Sequence, residues 1–202
     1  MAISLKEIIA HVESLGFRYM PGLRADSEVA LRFGTESYVD TDGDHSLLLV
    51  CAVSDEGRYL EVFAPAAYTT ANCKYKAAMF ACMLQVAFMT KHLQLEHDPE
   101  DGEVRLAVDM PVVDGTVTAE QLRAMISTII LSLEEWHPVF VHAMTTGKVD
   151  FGLSWKREPP PSAPAPAAPA LSPALLELIS KVGGLDNLEA LVAAQRSAGG
   201  AR

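Results

Sequence analysis

The stretch SLLLVCAVSDEGRYLEVF, residues 46–63, decides the fold class of this 202-residue chain. The run 46–53 is almost continuously apolar, which is typical of a β-strand covered on both faces. The following SDEG has the composition of a hairpin loop, and RYLEVF alternates as a second strand does. The segment therefore predicts two neighbouring strands of an antiparallel sheet.

The flanking segments extend this hairpin into a complete domain. Apolar residues recur at helical spacing from Ile3 to Leu15, and Gly16 is suited to end that helix. The remaining predicted elements are a strand at 29–33, a helix at 74–91, strands at 93–97 and 103–110, and a helix from 118 to about 144, with Pro138 as an expected kink. The order α-β-β-β-α-β-β-α predicts an α+β fold, an antiparallel sheet covered by helices.

The stretch DGEVRLAVDMPVVDGTVTAEQLRAMI at 101–126 carries a family resemblance. Its strand ends in an acidic–apolar pair, a DG turn follows, and T-x-E-Q-L opens the long C-terminal helix. With the order of elements over 3–152, this pattern resembles the YbjN-like family. The resemblance implies a fold similar to that of type III secretion chaperones, small acidic proteins that are often dimers and that bind other proteins without catalysis. It therefore implies a chaperone or adaptor role, with no catalytic residues.

The charge balance narrows the class of partner. The chain has 26 acidic and 16 basic residues, a net charge of −10. That balance disfavours direct binding to nucleic acid or to an anionic membrane. No run reaches the roughly 18 to 20 apolar residues that a membrane span needs, and the N-terminus is unlike a signal peptide. We expect a cytoplasmic protein whose partners are proteins.

Composition divides the chain into three parts. Residues 1–157 hold 13 basic and 22 acidic residues and are the predicted YbjN-like domain. Residues 158–171 form a Pro/Ala-rich linker, PPPSAPAPAAPA at its centre, which favours an extended spacer. Residues 172–202 are predicted to form two short helices with an apolar face: Leu175, Leu176, Ile179, Leu185, Leu188 and Leu191. This face either docks on a second protein or folds back onto its own domain.

The helix AAMFACMLQVAFM at 77–89 is apolar nearly all round, with Gln85 as its one polar side chain. Such a helix must be covered on more than one side. Either the long C-terminal helix covers its second side in a three-layer core, or that side is a homodimer or client interface. The flexible Met79, Met83 and Met89 suit an adaptable partner-binding surface, and we expect a homodimer.

Metal and catalytic patterns are weak. The aspartates at 40, 42 and 44 begin like a calcium loop, but His45 and Cys51 stand where it needs glycine and glutamate. An acidic hairpin turn is the better interpretation, and no metal or cofactor is predicted. The chain also lacks recognisable hydrolase, phosphate-loop and dinucleotide motifs, so we predict that it is not an enzyme.

One thiol supports an alternative hypothesis. Cys73 lies near a predicted helix start beside Lys74 and Lys76, which would favour its thiolate. The alternative function is a small-molecule or redox sensor that uses this thiol or a pocket between sheet and helices. The leading hypothesis remains a non-enzymatic protein-binding module with a tethered docking tail.

Overall fold

Residues 2–113 and 115–155, which the computed structural model describes, form an antiparallel six-stranded sheet with three α-helices. The elements are α1 (Leu5–Ser14), β1 (Tyr19–Pro21), β2 (Glu28–Gly34), β3 (Ser46–Ser54), β4 (Tyr59–Thr69), α2 (Lys76–Met89), β5 (Gln94–His97), β6 (Glu103–Pro111) and α3 (Ala119–Thr146). The strands are ordered β1-β2-β3-β4-β6-β5. The predicted α+β class and antiparallel sheet are confirmed.

The short strand β1 is an addition to the predicted order. It pairs with β2 at one edge of the sheet, and its three residues are all exposed. Three exposed residues give no alternation of apolar and polar side chains, so the sequence carries no strand signal there. The observed order is α-β-β-β-β-α-β-β-α.

Strand β4 runs past Pro65 because a bulge interrupts its pairing. Proline has no backbone N–H to donate to a sheet ladder, and bulges are where strands accommodate it. The register with β6 shifts between Ala64 and Tyr68, and Ala66 has a φ of 47°. The Ala66 N–H donates to Glu103 Oε1 at 2.7 Å, which holds the bulge against β6.

Local signals set the ends of α1 and α3. Ser4 and Glu7 form a reciprocal capping box at α1, and Thr118 and Gln121 form the same motif at α3. Each box satisfies backbone donors that a helix start leaves unpaired. Helix α3 continues through Pro138 and ends at the left-handed Gly147.

Helix α2 begins two residues later than predicted, at Lys76, and Tyr75 precedes it without a side-chain cap among the described contacts. The Thr70 side chain, six residues before the start of α2, makes other contacts. Thr70 Oγ1 donates to the Gly102 carbonyl at 3.2 Å and lies 2.9 Å from His97 Nε2. These bonds tie the end of β4 to the β5–β6 turn.

The main core lies between one face of the sheet and the helices. Leu49, Cys51, Leu60, Val62 and Leu106 project into it together with the buried sides of α1, α2 and α3. On the other face, Val50, Ala52, Phe63 and Ala107 form a separate apolar cluster. The described helices all pack on the first face, but the residues of the second cluster are at most 8% exposed, so β3 is buried on both faces as expected, with helices on one face only.

The linker at 158–171 and the tail at 172–202, with all six of its named apolar residues, lie outside the described residues. Their predicted roles stay predictions.

Candidate functional site

The side of α2 that points away from the core is apolar and open. Met79, Cys82, Met83 and Val86 are buried on the inner side. On the outer side Leu84 is 74% exposed and Phe88 is 91% exposed. Ala77 is also exposed and Phe80 half-buried. We call Ala77, Phe80, Leu84 and Phe88 the outer face of α2. Helix α3 packs beside α2 but leaves this face uncovered within the described chain.

A groove of about 340 Å³ separates the outer face of α2 from strand β5. Its lining is apolar except for one histidine: Phe80, Met83, Leu84, Ala87, Leu95 and His97. The His97 ring meets the Phe80 ring edge-on at 4.9 Å between centroids. Because β5 is the last strand of the sheet, its outer backbone edge has no strand partner among the described residues.

The three methionines predicted to bind a partner occupy different environments. Met79 is completely buried and Met83 nearly so, whereas Met89 is about half exposed. Met83 touches the groove floor. The partner-binding role of the three stays a prediction, with Met89 as the one whose side chain is available at the surface. The sequence 77–89 already indicated that residues such as Leu84 and Phe88 would be exposed, because a helix that is apolar all round must present apolar residues outward too.

A second groove lies on the sheet face opposite the helices, with a volume of about 470 Å³. We call it the sheet groove. Its floor contains Ala30, Leu48, Val50, Phe63 and Pro65, and the β1–β2 loop, from Met20 to Arg24, forms one wall. The sequence signal for this site is the apolar run 46–53, which supplies side chains to both faces of β3.

Arg105 and Glu103 line the opposite wall of the sheet groove, and Arg105 is the centre of a charge cluster that extends beside it. The guanidinium lies 5.1 Å from the centroid of the Phe63 ring and pairs with Glu96. It also lies 3.5 Å from Glu61 Oε1. The pKa of Glu61 is raised, first by burial and further by Asp109 and Glu96, although Arg105 and, more weakly, Arg24 oppose the shift. One arginine thus faces several carboxylates.

Four titratable side chains between α3 and the sheet make structural contacts with one another or with the backbone. His137 Nδ1 lies 3.2 Å from the hydroxyl oxygen of Tyr68, and the two rings are stacked. The Tyr38 hydroxyl donates to the Ala67 carbonyl at 3.0 Å. The Glu134 carboxylate accepts from three consecutive backbone N–H groups at 36–38. These contacts fix the β2–β3 loop against α3.

The acidic loop at 40–45 is organised by its own first carboxylate. Asp40 Oδ1 accepts the N–H groups of Asp42 and Asp44, and its Oδ2 accepts the Ser46 hydroxyl proton. These hydrogen bonds lower the pKa of Asp40. This is the geometry of a side-chain-stabilised turn.

The thiols differ in burial. Burial raises the pKa of Cys51 to about 12 and that of Cys82 to about 11, so both are protonated near neutral pH. Cys73 is half-buried, and its Sγ lies 3.8 Å from the Met144 carbonyl oxygen. The sensor role of Cys73 stays a prediction.

Comparison with known proteins gives likenesses of fold. No protein-family model matches the chain, and no curated protein sequence matches it. The structure is similar to that of YbjN from E. coli, a proposed transcription regulator, with 13% identity, a TM-score of 0.47, and coverage of 66% of this chain and 90% of that one. It is also similar to a chain of the HopA1–SchA chaperone–effector complex, with 9% identity, a TM-score of 0.41, and coverage of 61% and 84%. Both likenesses concern the fold alone.

None of the helices in the described chain is both long and apolar enough to cross a membrane.

Proposed function

We propose that this chain is a protein-binding module that acts as a chaperone or adaptor, with the outer face of α2 as its contact surface. The observation that carries the proposal is the exposure of Leu84 and Phe88 one helical turn apart, beside an apolar groove. Burying such side chains is worth about 1.5 to 3 kcal/mol each. A contiguous exposed apolar surface of this kind marks a site of protein contact.

The same surface favours a homodimer. In a two-fold interface one patch meets its own copy, so an apolar helix face next to an edge strand is self-complementary in chemistry. Two copies of α2 packed across the axis would bury Leu84 and Phe88 of both subunits. The long, apolar Met89 lies at the end of the same helix and can adapt to the contact.

A binding role also agrees with the state of the reactive groups. Cys51 and Cys82 are held as neutral thiols by burial. Glu134 accepts hydrogen bonds from the loop at 36–38, and His137 contacts the Tyr68 hydroxyl on β4. The proposal therefore assigns recognition rather than catalysis to the chain.

The test replaces apolar surface by charge. We expect Leu84→Asp combined with Phe88→Asp to convert a dimer into a monomer in light scattering while the circular dichroism spectrum is unchanged. Leu131→Asp is the matched control, because Leu131 is an exposed leucine on α3, 58% accessible. If wild-type protein is monomeric at about 100 μM, far above the dissociation constants typical of stable dimers, the dimer is excluded. Binding of other proteins that survives the double substitution would exclude this surface as the client site.

The tail is proposed as a second contact. Its apolar side chains, Leu175, Leu176, Ile179, Leu185, Leu188 and Leu191, would bind a further protein at the end of the linker 158–171. Replacing Leu176 and Ile179 with Asp should remove one partner and leave dimerisation intact. Parallel capture with the full-length chain and with residues 1–157 separates the partners of the tail from those of the domain. If the tail instead folds back onto its own domain, the full-length chain and residues 1–157 should capture the same partners.

A further inference from the structure

The sheet face opposite the helices carries a row of paired residues that is apolar on β1, β2, β3, β4 and β6 and ends at Gln94 on β5, with its central members nearly fully buried. The paired registers place Met20, Ala30, Val50, Phe63, Ala107 and Gln94 side by side. Val50, Phe63 and Ala107 belong to the apolar cluster that is separate from the main core. None of the described helices covers this row. An apolar floor in a recess of about 470 Å³ has room for one or two large side chains from another molecule.

The walls of the sheet groove differ in chemistry. One wall is the β1–β2 loop, where Leu23 is fully exposed and Met20 about half exposed. The other wall is the cluster around Arg105. Glu28 sits below the loop, nearly fully buried, and Arg24 neutralises it through an ion pair of 2.6 Å. The charge at the loop end of the groove is therefore already balanced.

The charge at the Arg105 end is not balanced. Arg105 pairs with Glu96 and lies 3.5 Å from Glu61, and Glu103 also raises its pKa. Asp109 is the direct cross-strand neighbour of Glu61, which places two carboxylates opposite each other. Like charges at such a pair are destabilising. Three carboxylates act on one guanidinium and Asp109 adds a fourth beside Glu61, while Arg24, the other nearby cation, is already paired with Glu28. This excess of negative charge would attract a further cation to the edge of the apolar groove.

From this juxtaposition we infer that the sheet groove binds a segment of another protein in which apolar side chains stand next to lysine or arginine. The apolar side chains enter the recess over Val50 and Phe63, and the basic group lies against Glu61 and Glu96. The contact is separate from the outer face of α2. It deepens the proposed protein-binding function by naming a second surface and the chemistry of its partner.

The occupant is a protein segment because the site combines a narrow apolar recess with charge at one end only. A short extended segment offers both kinds of group at fixed spacing, since alternate side chains project to one side. Nucleic acid is disfavoured, because its phosphates would meet the same carboxylates that attract a cation.

The experiment uses three fluorescein-labelled peptides of equal length with the full chain. The first alternates leucine with lysine, the second replaces each lysine by glutamate, and the third replaces each leucine by glycine. We expect fluorescence anisotropy to show the leucine–lysine peptide binding about tenfold or more tightly than either control peptide. Its amide chemical-shift changes should centre on residues 48–50, 63 and 105. Equal binding of the glutamate peptide, or shifts confined to α2, would overturn the inference.

Variants separate the two parts of the site. Glu61→Gln should weaken the leucine–lysine peptide several-fold and reduce its salt dependence, because a charge contact is lost. Leu48→Lys should remove binding by placing charge at the apolar floor. Glu120→Gln, an exposed carboxylate on α3, is the matched control and should bind as the wild type does. Unchanged binding in both Glu61→Gln and Leu48→Lys would contradict the inference.

The result is independent of the α2 proposal. The same titration in the Leu84→Asp, Phe88→Asp protein should give the wild-type affinity for the leucine–lysine peptide. If α2 fails as an interface while the peptide still binds at the sheet groove, the inference stands alone. If the peptide loses affinity in this variant, its site is the outer face of α2 and the inference is wrong.

Discussion

Glu134 on α3 and Tyr38 in the loop between β2 and β3 are joined by a hydrogen bond across 96 positions of sequence: the Tyr38 N–H donates to Glu134 Oε2 at 3.1 Å. The N–H groups of Glu36 and Ser37 donate to the same carboxylate at 2.6 Å each. Three consecutive backbone donors converge on one buried acid. This arrangement anchors the start of the loop, just after β2, to the long helix.

Glu134→Ala should lower the free energy of unfolding by about 2 to 4 kcal/mol, because three N–H groups lose a charged acceptor in a site with little water. Glu134→Gln keeps one acceptor oxygen and should cost less, about 1 to 2 kcal/mol. Urea unfolding followed by circular dichroism measures both. Glu135→Ala, one position along the same helix, is the control and should change stability by less than about 0.5 kcal/mol. A Glu134→Ala protein as stable as Glu135→Ala would show that the loop does not depend on this acid.

His137 should make the domain less stable in mild acid. Burial lowers the pKa of His137 below its ordinary value of 6.5; the charge of Glu134 partly opposes this shift, and His45 adds to it. The unfolded chain therefore takes up this proton at a higher pH than the folded chain. The stability linked to neutral His137 is complete above the unfolded pKa and is lost as pH falls towards the folded pKa.

His137→Phe keeps an aromatic ring beside Tyr68 and removes this titration. We expect the variant to lose about 1 kcal/mol near pH 7.5, where the hydrogen bond to Tyr68 is gone. Between about pH 7 and pH 5 its stability should then fall less steeply than that of the wild type. Urea midpoints across this range give the comparison. Equal slopes for the two proteins would exclude His137 as a source of acid sensitivity.

Most of the fold follows from local sequence signals. The helical spacing from Ile3 to Leu15, the T-x-E-Q-L start at Thr118, the apolar run 46–53 and the turn residues predict α1, α3 and the central hairpin, and the structure confirms them. Two features escaped prediction for physical reasons. Strand β1 is too short and exposed to give a pattern, and Pro65 lies within a strand because a bulge removes the need for its missing N–H.

The candidate surfaces were only partly predictable. The composition of α2 indicates that an apolar side remains to be covered, but its rotation about its own axis decides which residues are outside. That rotation is set by packing of Met79 and Val86 in the core, and it exposes Leu84 and Phe88. The sheet groove depends on long-range registers that bring Ala30, Val50 and Phe63 together, which no local pattern specifies.

Truncation to alanine should destabilise the protein much more at Met79 than at Met89. Met79→Ala removes a fully buried side chain and should cost about 2 to 5 kcal/mol through lost contacts and a cavity. Met89→Ala removes a side chain that is about half exposed and should cost less than about 0.5 kcal/mol in the monomer. Thermal unfolding at low protein concentration measures both without a contribution from self-association. Similar losses for both variants would contradict the rotation of α2 seen in the structure.

Gly57, in the β3–β4 connection, should tolerate replacement less well than Gly16. Its φ is +84°, and a Cβ there would lie 2.2 Å from the Ile3 carbonyl oxygen. That carbonyl belongs to the segment before α1, whose Ile3 N–H donates to the Gly57 carbonyl at 2.9 Å. Gly57→Ala therefore forces the N-terminal segment away from the hairpin, in addition to the strain of a positive φ.

Gly16→Ala is the matched control for Gly57→Ala. Gly16 has a similar φ of +75°, but a Cβ there meets nothing within 4 Å. Gly16→Ala should therefore lower the free energy of unfolding only by the cost of the left-handed conformation, about 1 to 2 kcal/mol. We expect Gly57→Ala to lose clearly more than that and to speed amide hydrogen exchange at Ile3. Equal destabilisation of the two proteins would mean that the contact between Gly57 and Ile3 gives way without cost, and that positive φ alone explains both glycines.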